Sequence, residues 1–264
     1  MTNRLGTRIF RLFSLLLILI SQANAKPQTL RFAINSPGSA PYIYYDEVSG
    51  NYQGVIVDFF DRLEEDGHFK IEYFESERAR SEQLLFRGFA DMFLSSPRWV
   101  NQPENYFFSL ALMPHRSFMY ATKPYSQPFN PSKNKGALIC TRNSYIYPVL
   151  QPFFDNNTLL RVDSSTQTTM ALMLAKERCD FAIMSDHNAK AIMTTAKFCN
   201  SEFYQSPNAI SAVDVLFVIR KELHKVKKQI DERLKIFIDS GERDKSVQRH
   251  VGARIFPKRL CSEV

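Results

Sequence analysis

One short stretch, an apolar run that stops abruptly in polar residues, constrains the fold of this chain more than any other. Residues 92–94 follow Asp91 and are typical of a buried central strand. Two serines, a proline that cannot continue a strand ladder, and an arginine come directly after them. In an open α/β sheet, ligands bind just beyond the carboxyl ends of the strands. We therefore expect Ser95, Ser96 and Arg98 to lie at a binding site.

A second stretch of the same kind occurs later in the chain. Residues 181–184 follow Asp180 and form an apolar run that ends in Ser185 and Asp186. The first stretch thus ends in a cation and the second in an anion. Two half-sites of this kind, facing each other, would suit a small dipolar ligand.

The elements around these stretches alternate between strand and helix. The first pattern has strands at residues 30–34, 70–74 and 92–94 and helices at 55–63 and 81–86, which is the order of a doubly wound sheet. The proline-rich segment 123–131 follows and is predicted to be a linker or crossing. A second pattern then has strands at 137–141, 159–162 and 181–184 and helices at 147–154 and 166–176.

These two patterns predict two α/β lobes with a ligand cleft between them. A strand at residues 210–219 and a helix with apolar residues at helical spacing carry the chain back to the first lobe. The predicted division is residues 26–121 and 212–264 for the first lobe and residues 122–211 for the second.

The first 25 residues have the pattern of a cleaved signal peptide. Three arginines precede the apolar run at residues 12–20, and Ala23-Asn24-Ala25 is a small-x-small cleavage site. The sequence therefore predicts export to the periplasm and a mature chain that begins at Lys26.

Charge and motif content argue against several classes of function. The formal net charge of +7 includes the signal-peptide arginines, and one local group of lysines at 221–228 is interpreted as a solvated helix face, not a nucleic-acid site. There is no Cys/His spacing suited to zinc, no GxSxG or HExxH motif and no glycine-rich phosphate loop. We expect no metal, no cofactor and no catalysis, and a monomer.

All four cysteines lie after the signal peptide, where a disulfide can form, and several pairings are open. Cys179 precedes the second apolar run and Cys199 follows the helix after it. Because such a helix returns to the starting end of its strand, we predict a Cys179–Cys199 disulfide and a free, buried Cys140.

The order of several segments resembles family 3 of the extracellular solute-binding proteins, the periplasmic receptors of amino-acid ABC importers. The segments are Leu30-Arg31-Phe32-Ala33, Ala40-Pro41-Tyr42, Gly54-Val55-Ile56-Val57-Asp58, Ala90-Asp91-Met92-Phe93, Phe107-Phe108-Ser109 and residues 178–183. The resemblance covers essentially the whole mature chain. It implies a type II periplasmic-binding-protein fold, whose two lobes close on a small solute.

The resemblance also implies site residues. Tyr42 and Ser39 match cleft-wall positions, Arg78 a cleft residue at the second helix, and Ser95 and Ser96 hydroxyls that hold ligand. The loop residues Arg142, Asn143, Ser144 and Tyr145 match a loop that opens a helix, whose amides would bind an anion. Tyr44, in the same loop as Tyr42, is expected to be a cleft wall, with a place in the core as the alternative.

Two positions depart from the family pattern. The arginine that grips a carboxylate is absent from residues 99–105, and Arg98 or Arg78 could replace it. Arg98 beside Trp99 reads as an anion clamp next to a stacking surface, or as a plain surface arginine. The aspartate that holds an amino group falls at Ser185 or Asp186, and Asp186 could instead cap a helix.

The sequence therefore predicts a periplasmic protein that captures a small polar solute, amino-acid-like or carboxylate-bearing, and delivers it to an inner-membrane ABC permease. One alternative is a receptor that reports its ligand to a membrane sensor protein. Another is an exported enzyme, because periplasmic cyclohexadienyl dehydratases resemble the same fold.

Overall fold

The computed structural model describes residues 26–252. The predicted signal peptide and the last residues of the predicted first lobe lie outside this range. Within it, no helix combines the length and apolar character needed to cross a membrane.

The described chain alternates strands and helices much as predicted. The strands are β1 (Gln28–Asn35), β2 (Gly38–Ser39), β3 (Ile43–Asp46), β4 (Asn51–Gln53), β5 (Phe69–Ser76), β6 (Met92–Ser95), β7 (Tyr106–Ala121), β8 (Leu138–Arg142), β9 (Leu160–Ser164), β10 (Phe181–Ser185), β11 (Tyr204–Gln205) and β12 (Ser211–Arg220). The α-helices are α1 (Val55–Glu64), α2 (Arg78–Phe86), α3 (Gln151–Asp155), α4 (Gln167–Ala175), α5 (Asp186–Met193), α6 (His224–Asp239) and α7 (Glu242–Gly252).

Two parallel strand sets, one in each half of the molecule, are joined by two long antiparallel strands. The first set is β5-β1-β6, and the second is β9-β8-β10. Strand β12 lies antiparallel to β6 and β7, and β7 continues on to lie antiparallel to β10. The lobes are thus built from separate α/β units, and β7 and β12 form the connection between them.

Strand β7 begins well before the apolar run at residues 117–122 and ends at Ala121. It contains 16 residues, and Pro114, His115 and Arg116 lie inside it because β12 pairs along this stretch. Phe118 and Tyr120 pair with β10, in the second lobe. Strand β7 therefore pairs with a second-lobe strand from Ser117 onward, and the predicted boundary at residue 121 stays a prediction.

The first lobe has a core dominated by aromatic rings. Phe59 and Phe60 are adjacent on α1, where the 3.6-residue period faces them inward, and both stack on Phe217 of β12 at centroid distances of 5.4 and 5.1 Å. Phe237 of α6 packs on Phe59 at 5.6 Å. Helix α6 therefore packs on the first lobe. The second lobe buries apolar clusters on both faces of β8 and β10.

The predicted Cys179–Cys199 disulfide is wrong. Cys140 and Cys179 form the disulfide, with a Cα–Cα distance of 5.7 Å, and Cys199 is free. Strand alternation points Cys140 toward the face of the sheet that α4 covers, where it packs in one cluster with Leu174. Cys179 follows α4 and reaches the same face, so the partner of Cys179 is the neighbouring strand and not the segment after α5.

Candidate functional site

The carboxyl ends of the strands in the two lobes face each other and enclose two small adjoining cavities. The cavities have volumes of about 80 Å³ and about 60 Å³. Both are lined by Trp99, His115, Tyr145, Ile146 and Gln167. Because these residues come from the first lobe, the connecting strand β7 and the second lobe, the cavities exist only where the lobes meet. We call this space the cleft.

The first lobe contributes residues that follow its strand ends. Ser39 ends β2, and Tyr42 lies between β2 and β3 in the segment that follows β1. Ser95 ends β6, and Trp99 lies in the short turn after it. Two cis peptide bonds, Ser36–Pro37 and Ala40–Pro41, shape the segment that follows β1. The aromatic rings give the first-lobe wall a largely apolar surface with a hydroxyl at its edge.

Arg78, the first residue of α2, supplies the buried cation of this wall. Its Nη1 lies 2.8 Å from Glu82 Oε1, one helical turn away, and both side chains are largely buried. Its Nη2 donates to the Trp99 carbonyl at 2.6 Å and lies 3.4 Å from the Ser95 hydroxyl. Arg78 thus holds the Trp99 turn in place while part of its guanidinium faces the cleft.

His115 of β7 forms the floor of the cleft. Its Nδ1 lies 2.7 Å from the Tyr42 hydroxyl, its Nε2 lies 3.3 Å from the Ser117 hydroxyl, and its ring packs edge-on against Trp99 at 5.0 Å. Burial lowers the pKa of His115 to about 4, although the nearby Asp186 carboxylate opposes this shift. The imidazole is therefore neutral at pH 7.

This neutral histidine makes the stability of the protein depend on pH. Between about pH 6.5 and pH 4, the unfolded chain binds a proton at His115 that the folded chain does not bind. We therefore expect the free energy of unfolding to fall by about 1–2 kcal/mol between pH 7 and pH 5 through this residue. Urea unfolding of the wild type and of His115→Asn at both pH values measures it. Equal losses in the two proteins would contradict the expectation.

The second lobe closes the cleft with Tyr145, Ile146, Gln167, Ser185 and Asn188. The Ser185 hydroxyl accepts a hydrogen bond from the Asn188 amide at 3.1 Å and so caps α5. The same Asn188 donates through its side chain to the Ala40 carbonyl in the first lobe.

A second contact joins the lobes directly at the rim of the cleft. The buried Arg142, at the end of β8, donates to the Ser36 carbonyl and stacks over Tyr145 at 5.2 Å. Together with the Asn188–Ala40 bond, it joins the two lobes across the cleft.

The structure brings together half of the sequence-predicted site residues. Those that line the cleft are Ser39, Tyr42, Arg78, Ser95, Trp99, Tyr145 and Ser185. Those that do not are Tyr44, Ser96, Arg98, Arg142, Asn143, Ser144 and Asp186. Ser96 is buried beside the cleft and its carbonyl accepts from the Trp99 amide. Tyr44 faces away, and its hydroxyl lies 3.0 Å from Nδ1 of His250 on α7.

The two charged residues at the strand ends have other environments than expected. Arg98 lies in the turn that follows β6, is exposed and does not line the cleft. Asp186 pairs with Arg116 at 2.7 Å and is the first residue of α5, while Ser185 occupies the capping position. The cation that lines the cleft is therefore Arg78.

Backbone amides in the loop at residues 142–145, which were expected to bind an anion, already have partners within the lobe. The Asn143 amide donates to the Ser164 carbonyl at 2.9 Å, and the Arg142 amide donates to the Tyr147 hydroxyl at 2.9 Å. The next helix begins only at Gln151. These amides are already used within the lobe, so they are not free to bind an anion.

The polar cleft residues that the sequence did not indicate include Asn35, His115, Gln167 and Asn188. Asn35 ends β1, and Gln167 follows β9 at the start of α4. Both therefore carry the same signal as Ser95 and Ser185, a polar residue at or shortly after the end of a parallel strand. His115 carries no such signal because it lies inside the long strand β7 and not after a strand end.

A larger open depression, of about 800 Å³, lies at the amino ends of β8 and β10 and includes Lys123, Tyr125 and Phe181. It is open to solvent and lies on the side of the second lobe opposite the cleft. Among residues 26–252, no group of His, Cys, Asp and Glu side chains could hold a metal ion.

Comparison with known proteins gives no match in sequence but clear matches in structure. No family model matches the chain, and neither does any curated protein. A mutant of ArgBP from T. maritima has a TM-score of 0.70 at 16% identity, over 85% of this chain and 95% of that one. A structure from the study of glutathione import through GshT and the cystine ABC importer TcyBC of Streptococcus mutans has a TM-score of 0.71 at 15% identity, over 89% and 99%.

A third similar structure comes from a different kind of protein. It is a histidine kinase sensor domain with similarity to periplasmic binding proteins, with a TM-score of 0.68 at 15% identity, over 88% of this chain and 98% of that one. These matches confirm the predicted fold: two lobes of the type II periplasmic-binding-protein class.

Proposed function

We propose that this protein is an exported solute-binding protein that captures a small polar solute by closing its two lobes and presents the closed form to an ABC importer in the inner membrane. The observation that supports this best is the composition of the cleft. Arg78, Tyr42 and Trp99 of the first lobe and Tyr145 and Gln167 of the second line the same space.

Closure is the mechanism that this composition favours. A ligand that touches both lobes gains its full set of contacts only in the closed form, so it shifts the open–closed equilibrium by the difference in its affinity for the two forms. Strands β7 and β12 run between the lobes and are the natural hinge. His115, on β7, lies at the floor of the cleft.

A carboxylate-bearing or amino-acid-like ligand fits the first-lobe wall. Arg78 presents a fixed guanidinium next to the Ser95 hydroxyl, and an arginine of this kind binds a carboxylate with parallel hydrogen bonds. Trp99 and Tyr42 would cover the apolar part of the ligand. One of the similar structures comes from a study of glutathione import, which supports a small polar ligand.

A thermal-shift panel of amino acids, carboxylates, amides and amines tests the proposal on residues 26–264. A ligand present at one hundred times its dissociation constant should stabilise the protein by about 2.7 kcal/mol. Recovery of the ligand unchanged after incubation supports capture, whereas conversion of the ligand to a product would support the alternative of an exported enzyme.

A sensor role is the second candidate, and the similarity to a histidine kinase sensor domain favours it. Both roles require the same closed form, so binding alone does not separate them. Uptake of the labelled ligand by cells with and without the gene does: an importer subunit is needed for uptake, and a sensor subunit is needed only for the transcriptional response.

A further inference from the structure

Gln167 places a buried polar atom in the cleft with no partner. It is the first residue of α4 and lines both cavities. The capping of that helix is done by Thr166, whose hydroxyl accepts from the Thr169 amide at 2.9 Å, so the Gln167 side chain is not needed for it. Its Oε1 is shielded from solvent and accepts no hydrogen bond from any residue between 26 and 252.

An arrangement of this kind is costly unless a ligand completes it. A buried acceptor without a donor costs about 1–3 kcal/mol, because the atom has lost its hydrogen bonds to water. Two other buried polar atoms in the described chain lack partners, on Tyr125 and Arg220, but neither residue lines the cleft. The unpaired acceptor of Gln167 therefore lies where a ligand would lie.

Arg78 and His115, unlike the Gln167 oxygen, already have partners within the protein. Arg78 is paired with Glu82 and lines the first-lobe side of the cleft. His115 is held by Tyr42 and Ser117. A ligand that enters between them meets a cation on the first lobe and a neutral acceptor on the second.

We propose that Gln167 is a specificity-determining residue of the cleft, and that its carboxamide oxygen accepts a hydrogen bond from an N–H or O–H donor of the bound solute. This inference rests on the proposed solute-binding function and adds to it the chemistry that the second lobe recognises. Because Gln167 lies on the second lobe and Arg78 on the first, the donor contact forms only on closure. A solute without a donor at that end would leave the acceptor unpaired and bind more weakly.

Three variants test the role of the oxygen. Gln167→Met keeps the length of the side chain but removes the acceptor, and Gln167→Glu keeps an acceptor and removes the amide donor. Gln151→Met is the matched control, because Gln151 is also the first residue of a second-lobe helix but does not line the cleft and bonds Asp155 instead. For a donor-bearing ligand, we expect a roughly tenfold to hundredfold loss of affinity in Gln167→Met and retained affinity in the other two.

The stability of the ligand-free protein gives a readout that needs no ligand. Since Gln167→Met removes a buried unpaired acceptor, its melting temperature should equal or exceed that of the wild type. A lower melting temperature that Gln167→Glu restores would show that the oxygen already has a partner within the protein, and this result would overturn the proposal.

The compounds of the ligand panel distinguish which kind of hydrogen-bond donor Gln167 recognises. Primary amines and amides supply N–H, glycerol and other polyols supply O–H, and acetate and pyruvate at pH 7 supply neither. For the compound that binds wild type best, its N- or O-methylated analogue should lose affinity in wild type and lose nothing further in Gln167→Met. Equal affinity of wild type and Gln167→Met for that compound would overturn the proposal and leave solute binding intact. If wild type binds none of the compounds, solute binding itself is called into question, and the melting temperatures alone decide on Gln167.

Discussion

Replacing Arg78 with alanine is expected to lower the free energy of unfolding by about 3–5 kcal/mol, because Glu82 would then be a buried charge without its partner. The two side chains are largely buried and lie 2.8 Å apart, and Arg78 also holds the Trp99 carbonyl. Urea unfolding of Arg78→Ala and wild type at pH 7 measures the loss. A loss below about 1 kcal/mol would mean that the pair is solvated, contrary to the structure.

Two further variants separate stability from binding. In the double variant Arg78→Met/Glu82→Met, both charges are removed together, and replacement of a buried pair by apolar residues is often neutral. We expect stability near that of the wild type but weak binding of any carboxylate ligand. Arg98→Ala should change neither property, since Arg98 is exposed and lies outside the cleft lining. If Arg98→Ala loses binding and the double variant does not, the anchor is Arg98.

Removing the Cys140–Cys179 disulfide is expected to cost about 4 kcal/mol, because the bond closes a large loop and restricts the unfolded chain. The sequence separation of the two residues is 39, and both are buried in the second-lobe core. Chemical unfolding of the double variant Cys140→Ala/Cys179→Ala measures this loss.

Cys199→Ala is the control for the disulfide, since Cys199 is a free thiol at the edge of the lobe. Its unfolding free energy should stay within about 1 kcal/mol of wild type. Mass mapping without reduction gives an independent check. A peptide that joins Cys199 to either of the other two residues would contradict the pairing.

The fold was predictable because local patterns agree with it. The apolar runs at β6 and β10, the 3.6-residue period of α1 and the order of strands and helices all require the same arrangement. The resemblance to a family of binding proteins led to the same fold, although no sequence comparison matches the chain.

The site was predictable only in part, because the order of residues does not determine by itself where a side chain points or which residue it pairs with. Ser95 and Ser185 were found from their places at strand ends, and both line the cleft. Arg98 also comes shortly after the end of β6, yet the turn after β6 directs its side chain to solvent. The disulfide prediction was wrong for a similar reason, because the face of the sheet on which Cys140 lies depends on the register of β8 with its neighbours.

The central claim, that the two lobes close on a small solute, is tested most directly by a distance across the cleft. Glu77 follows β5 and Ser165 follows β9, and both are exposed at the cleft-facing ends of their lobes. Spin labels on Glu77→Cys and Ser165→Cys, in a Cys199→Ser background, report the separation by electron paramagnetic resonance. With the ligand that gives the largest thermal shift, the broad distance distribution of the free protein should collapse to one short distance. An identical distribution with and without saturating ligand would contradict capture by closure.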